Sequence, residues 1–277
     1  MNLRIVSDSS CDMNTNEYEN LFIVPLTIST ENQKWIDDEN VNIDSMLSTL
    51  EKYKGRSYTS CPDINSWITA FGDSDIIFVI TMTSGLSGTY NSATAAAKLY
   101  LESHPNAKIK VFDTLSTCSQ QRLLVDYIHK LTNENLEFEE ICIQAEKYLK
   151  KTKMVFMIKS LHNFAQNGRV NKAIAATIGF LGINIIATPS EKGTFKALTK
   201  CRGVKKAIVE LINQLKNMNY SGGKLYISHV DNITLAKEIK EDILKIYESA
   251  NIKIRQAKAL CSYYAERGAV LLGFETL

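Results

Sequence analysis

The chain has 277 residues, and 32 Lys plus Arg against 30 Asp plus Glu leave a formal net charge of +2. That balance supplies no broad cationic field for phosphate backbones or anionic lipid surfaces, so nucleic-acid and membrane-surface roles are disfavoured. With 45% hydrophobic and 22% charged residues, the composition is that of a globular protein long enough for two domains of ordinary size.

Short apolar runs alternate with longer amphipathic stretches, the pattern of strands interleaved with covering helices. In the first half the pattern predicts strands at residues 3–7, 21–28, 76–82 and 109–112. It predicts helices at 43–53, 64–71, 89–103 and 119–131, the third marked by Tyr90, Ala93, Ala97 and Leu101 at three- and four-residue spacing. A mixed-charge helix at 136–150 is the expected connector. Beyond it come predicted strands at 154–158, 183–187, 195–198, 224–227, 253–257 and 270–274, with helices at 204–218 and 234–249. The expected fold is α/β: an N-terminal domain, residues 1–151, with a mostly parallel sheet and flanking helices, and a second α/β domain, residues 152–277. No apolar run is long enough to span a bilayer and Asp8 comes too early for a signal sequence, so a cytoplasmic location without stable membrane insertion is expected.

Six cysteines, Cys11, Cys61, Cys118, Cys142, Cys201 and Cys261, are scattered singly, and no CxxC pair occurs. The histidines (His104, His129, His162 and His229) lack the spacing of helical metal ligands. Reduced, structural thiols and no metal site are therefore expected.

The segment from Ile76 to Tyr90 reads strand, loop, helix. Its loop carries the hydroxyls of Thr83, Ser84, Ser87 and Thr89 together with Gly85 and Gly88. At the carboxyl end of a parallel strand, free N–H groups, the helix dipole and hydroxyl donors all favour an anion. The plainer alternative is that Ser87 or Thr89 caps the helix. The loop has neither the lysine of a P-loop nor the glycine spacing of a dinucleotide site. Thr59-Ser60-Cys61-Pro62 is a second hydroxyl cluster that also suits a helix start. A third, Ser7 to Asp12, follows the first strand, and there Asp8 can orient a hydroxyl or form a turn. Lys200-Cys201-Arg202-Gly203 sets cations at a helix entrance, against the dipole. Arg202 there suits a two-pronged grip on a carboxylate or phosphate, with a solvated basic patch as the alternative. Hydrolase chemistry fits poorly, because no Gly-x-Ser-x-Gly elbow occurs and no histidine is tied by a motif to Ser84.

Taken in order, Ile5-Val6-Ser7-Asp8-Ser9-Ser10-Cys11-Asp12, Val24-Pro25-Leu26, Thr59-Ser60-Cys61-Pro62, Ser84-Gly85-Leu86-Ser87-Gly88-Thr89-Tyr90, Asn167-Gly168-Arg169-Val170, Lys200-Cys201-Arg202-Gly203 and His229-Val230-Asp231-Asn232 resemble the DegV family of bacterial fatty-acid-binding proteins. The resemblance runs over nearly the whole chain. It implies a two-domain α/β protein that holds a long-chain fatty acid between its domains, with the carboxylate on the hydroxyl loops and the tail in an apolar tunnel. It also implies a non-catalytic carrier, without cofactor, that presents the carboxylate to a separate fatty-acid kinase. Carried over by position, Thr59 and Ser84 bind the carboxylate, with Ser60, Thr83, Gly85 and Arg202 nearby.

The departures are specific. Where the family usually has His-Thr-Gly-Pro-Gly, this chain has Tyr264-Ala265-Glu266-Arg267-Gly268. Tyr264 can donate to a carboxylate but carries no positive charge at neutral pH, which makes Arg267 the candidate for the missing cation. Gln120, Gln121 and Arg122 replace spaced glycines, which is expected to narrow or redirect the tunnel. The competing functions are a hydrolase or kinase-like enzyme acting on a small molecule, and a regulatory protein that has lost its ligand.

Overall fold

The computed structural model describes residues 2–134, 136–171 and 182–277. In chain order its first half runs β1 (Leu3–Asp8), β2 (Leu21–Val24), β3 (Thr27–Ser29), β4 (Lys34–Ile36), α1 (Ile43–Lys52), β5 (Tyr58–Ser60), α2 (Ile64–Phe71), β6 (Ile76–Thr81), α3 (Thr89–Ser103), β7 (Lys108–Asp113), α4 (Cys118–Thr132) and α5 (Phe138–Lys150). The second half runs β8 (Thr152–Ile158), α6 (His162–Gln166), β9 (Ile183–Pro189), β10 (Phe195–Arg202), α7 (Val204–Asn217), β11 (Lys224–His229), α8 (Ile233–Leu244), β12 (Asn251–Gln256), α9 (Ala259–Ala265) and β13 (Val270–Glu275).

Four strands form an all-parallel sheet in the order β2-β1-β6-β7. Helices pack on both faces, as parallel strands require. On one face Trp67 and Phe71 of α2 meet Ala93, Ala96 and Tyr100 of α3 over Val6, Ile77 and Val79. On the other, Leu124, Val125 and Ile128 of α4 cover Ile5, Phe78 and Ile80. Asp63 starts α2 by accepting the Ser66 N–H at 2.7 Å, and Asn42 starts α1 by accepting that of Ser45 at 2.9 Å.

The single strand expected at 21–28 is two. Pro25 has no N–H to donate, so pairing stops after Val24, and β3 joins a separate three-stranded antiparallel sheet in the order β4-β3-β5. The short β4, β5, α6 and α9 fall below the length at which periodicity shows. The helix expected at 234–249 ends at Leu244.

The second half builds a six-stranded sheet in the order β10-β9-β8-β13-β11-β12, antiparallel except for the β11–β12 pair. On β8 successive residues face opposite ways: Val155 and Met157 enter the core beneath α7, whereas Met154, Phe156 and Ile158 face the first half of the chain. The buried α4 ties the halves together, with Ser119 Oγ donating to the Leu271 carbonyl at 3.1 Å and lying 2.9 Å from Ser228 Oγ. We propose the domain boundary at residues 151/152, where α5 ends and the six-stranded sheet begins. Among the described residues no helix is long and apolar enough to cross a membrane.

Candidate ligand-binding site

A cavity of about 250 Å³ opens where the two sheets face each other. The loops after β6 and β7 and the end of β5 form one side. The inward row of β8, the β9–β10 hairpin, α6 and α9 form the other. Met82, Met154, Phe156, Ile158, Leu260 and Leu271 make its apolar body. An aromatic wall continues from it, with ring centroids 5.9 Å apart for Phe156–Phe195, 5.9 Å for Phe164–Phe195 and 4.9 Å for Phe164–Tyr264.

The wall ends in a polar group. Thr59 Oγ1 and the Tyr264 hydroxyl lie 2.7 Å apart. Burial pushes the Tyr264 phenol above its ordinary value, against smaller opposing effects from Thr59 and the nearby Arg169, so the hydroxyl stays neutral and able to donate. Arg169 lines the same end. Its Nε donates to the Leu86 carbonyl at 2.8 Å and Nη1 to the Asn167 carbonyl at 2.6 Å, which fixes the guanidinium by neutral groups. Among the described residues no carboxylate pairs with it. Ser60, Cys61 and Gly88 both line the cavity here and are exposed, so this end is its mouth.

Support lies directly behind. The Tyr263 hydroxyl sits 2.6 Å from Ser57 Oγ and accepts from Asn167 Nδ2 at 2.8 Å, fixing α9 beside the mouth. Asp37 accepts the Ala259 and Leu260 N–H groups at 2.8 and 3.2 Å and so anchors the start of that helix. Asp8 is wholly enclosed and its carboxyl is pushed up by burial. It accepts from Ser10, Gln121 and the Met82 N–H, the last at 2.6 Å, and this fixes where the chain leaves β6.

The structure brings Thr59, Ser60, Thr83 and Tyr264 to the cavity. Thr83 is committed within the protein: its Oγ1 donates to the Gly193 carbonyl at 2.9 Å and accepts the Gly85 N–H at 3.0 Å. The hairpin tip presses close here, since a Cβ on Gly193 (φ +70°) would fall 1.9 Å from Thr83 Oγ1 and one on Gly85 2.3 Å from the Lys192 carbonyl oxygen. Ser84 and Gly85 are exposed and outside the lining, with the Ser84 N–H donating to Asp113 Oδ1 at 3.1 Å. Arg202 is also outside it. It ends β10, seven residues and about 20 Å along the strand from the cavity-lining Phe195.

The cation at the mouth is Arg169, in the Asn167-Gly168-Arg169-Val170 stretch, and not the expected Arg202. Arg267 instead clamps α1 to the β11–α8 turn, reaching Glu51 at 2.8 Å, Asp44 at 2.7 Å and also Asp231. The long side chains of α4 do not enter the cavity either. Gln120 donates to the Thr152 carbonyl at 3.0 Å, Gln121 to Ser7 Oγ at 3.1 Å, and Arg122 pairs with Glu17. They fill the space between α4 and its neighbours and are not part of the cavity lining.

A family model described as "Uncharacterised protein, DegV family" matches residues 2–276. A DegV domain-containing protein of Streptococcus pyogenes serotype M18 is 37% identical over 279 residues, covering 99% of this chain and 100% of that one. Among solved structures, a DegV family protein from Eubacterium eligens loaded with heptadecanoic acid is 48% identical with a TM-score of 0.96, covering 99% of this chain and 100% of that one. The Streptococcus pneumoniae Fatty Acid Kinase (Fak) B3 protein loaded with linoleic acid is 35% identical with a TM-score of 0.96, covering both chains completely. The chain belongs to the DegV family.

Proposed function

We propose that this DegV-family protein is a cytoplasmic, non-catalytic carrier that holds one long-chain fatty acid in the cavity and presents its carboxylate at the mouth to a fatty-acid kinase. The observation that carries the reading is the Arg169 guanidinium, which pairs with no carboxylate among the described residues, set beside two neutral hydroxyls, Thr59 and Tyr264, at one end of a mostly apolar cavity. That is the complement of an amphipathic acid. The solved relatives that hold heptadecanoic and linoleic acids support the ligand class, and the kinase-named relative supports the partner.

Each part of the site has a distinct task. Withdrawing ~15 methylenes from water at ~0.8 kcal/mol each contributes on the order of 12 kcal/mol before the costs of association, enough for retention without a covalent bond. Arg169 compensates the carboxylate charge, the Thr59–Tyr264 pair uses one proton in its mutual hydrogen bond and keeps the other to donate to a carboxylate oxygen, and Ser60 borders the mouth. Thr83 holds the hairpin down over the bound chain. In this assignment Arg169 takes the place expected of Arg202, while Ser84 and Gly85 form the outer rim beneath the hairpin.

Native followed by denaturing mass spectrometry of the purified protein tests the reading. The expected result is one equivalent of a long-chain fatty acid released on unfolding. A lipid-free protein that also takes up no added fatty acid would overturn it and leave the regulatory alternative.

A further inference from the structure

Below the cavity, three side chains from separate elements converge. Asp12, Cys118 and Cys261 are all buried, and one carboxylate oxygen and the two sulfurs lie within 4.8 Å of one another. Asp12 follows the helical turn after β1, Cys118 opens α4 and Cys261 lies in α9. The Cys118 thiol donates to Asp12 Oδ2 at 2.7 Å, and the Lys258 N–H donates to Oδ1 at 2.8 Å. Asp12 and Cys118 both sit in left-handed backbone, at φ 56° and 52°, a conformation disfavoured for these residues unless the surroundings impose it.

A second observation is the missing counter-charge. Among the described residues no side-chain cation pairs with the Asp12 carboxylate. Arg122 donates instead to the Asp12 backbone carbonyl at 3.1 Å, and the Lys258 ammonium goes to the Met13 carbonyl at 3.3 Å and Asn14 Oδ1 at 2.8 Å. Asp8 and Asp37 are enclosed without a paired cation among the described residues as well, and Asp12 differs from them in having two thiol sulfurs beside its carboxyl.

We propose that Asp12, Cys118 and Cys261 form a binding site for a thiophilic divalent cation of the zinc class, with a fourth position turned toward the cavity floor, where Thr117 and Cys261 are part of the lining. Two sulfurs and a carboxylate oxygen are a donor set that this class of ion accepts in tetrahedral geometry. Metal–ligand bonds of about 2.0–2.3 Å place tetrahedral donor atoms roughly 3.3–3.8 Å apart, so the cluster closes around an ion with side-chain shifts of about 1 Å. On binding, the two S–H bonds break, their protons leave to solvent and two metal–thiolate bonds form without electron transfer. Cys118 is the first residue of α4, the end of a helix where the dipole favours negative charge. The ion would link the turn after β1 and the start of α4 to α9, beneath the cavity. The proposal stands whether or not the cavity holds a fatty acid.

The test is titration of the reduced protein with Co²⁺ and Cd²⁺, with its thiols counted beforehand. The expected result is one equivalent bound, with intense visible bands of tetrahedral cobalt and an ultraviolet thiolate-to-cadmium band. Both signals disappear in Cys118→Ser and in Cys261→Ser, but persist in Cys142→Ser, whose sulfur is on α5. Absence of a stoichiometric signal in the reduced wild-type protein overturns the proposal, as does a signal that survives removal of both Cys118 and Cys261. The wild-type spectra decide this even if a buried-site variant fails to fold.

Discussion

The apolar wall of the cavity is carried mainly by the strands of the large sheet, and its polar mouth by a three-residue strand, a turn and a short helix. Met154, Phe156 and Ile158 follow from the two-residue alternation of β8, so each is held by a sheet ladder and packed core on its other side. Thr59, Arg169 and Tyr264 come from three separate segments, and each is oriented by one or two hydrogen bonds. The wall therefore couples ligand affinity to stability of the fold. The mouth can change its chemistry, as in the tyrosine where the family usually has histidine, with the hydroxyl taken up by Thr59.

The sharpest way to break that contrast is on the wall. Phe156→Ala is expected to cost about 3–5 kcal/mol of unfolding free energy, read by urea denaturation, and to weaken fatty acids and the matching alcohols equally. A head-group-selective loss would show that the wall and the mouth are not separate.

A smaller effect comes from Asp37, behind the mouth. Burial pushes its carboxyl up to about 6, above the unfolded value, so the folded state binds the extra proton between roughly pH 4 and 6. Its contribution to stability is therefore greatest below the unfolded pKa and is lost as pH rises through about 6, on the order of 1–3 kcal/mol. Thermal unfolding across pH 4–8 should show this component, and Asp37→Asn should flatten it. A component of opposite slope at Asp37 would contradict the assignment.

At the mouth, Tyr264→Phe leaves Thr59 without that partner and should weaken fatty-acid binding by about 1 kcal/mol in calorimetry, with little effect on a neutral lipid. Smallest is Arg202→Ala, expected to change fatty-acid affinity by less than about 0.5 kcal/mol because the residue is exposed and distant from the lining. A loss as large as that at Tyr264 would place the carboxylate elsewhere.

The contrast also explains what could be read from the sequence. Helices α2 and α3 match the periodicity at both ends, and β6 and β8 announce themselves as apolar runs, so the sheets and the wall were legible. The three-stranded sheet was not, because its strands are three residues long and Pro25 hides the break between β2 and β3. At the mouth, motif positions point to Thr59 and Tyr264, and both line the cavity. Choosing between Arg169 and Arg202 required knowing that β10 carries Arg202 away from the cavity while the turn after α6 brings Arg169 in. The Asp12–Cys118–Cys261 cluster was invisible for the same reason: Asp12 and Cys118 stand 106 residues apart and meet only through tertiary packing.

The most direct measurement compares the binding of a long-chain fatty acid and its matching alcohol by calorimetry, in the wild-type protein and in Arg169→Ala. The account predicts that the wild type prefers the acid and that the substitution removes about 2–3 kcal/mol from acid binding while leaving the alcohol nearly unchanged. An undiminished preference for the acid in Arg169→Ala would contradict the placement of the carboxylate at this mouth.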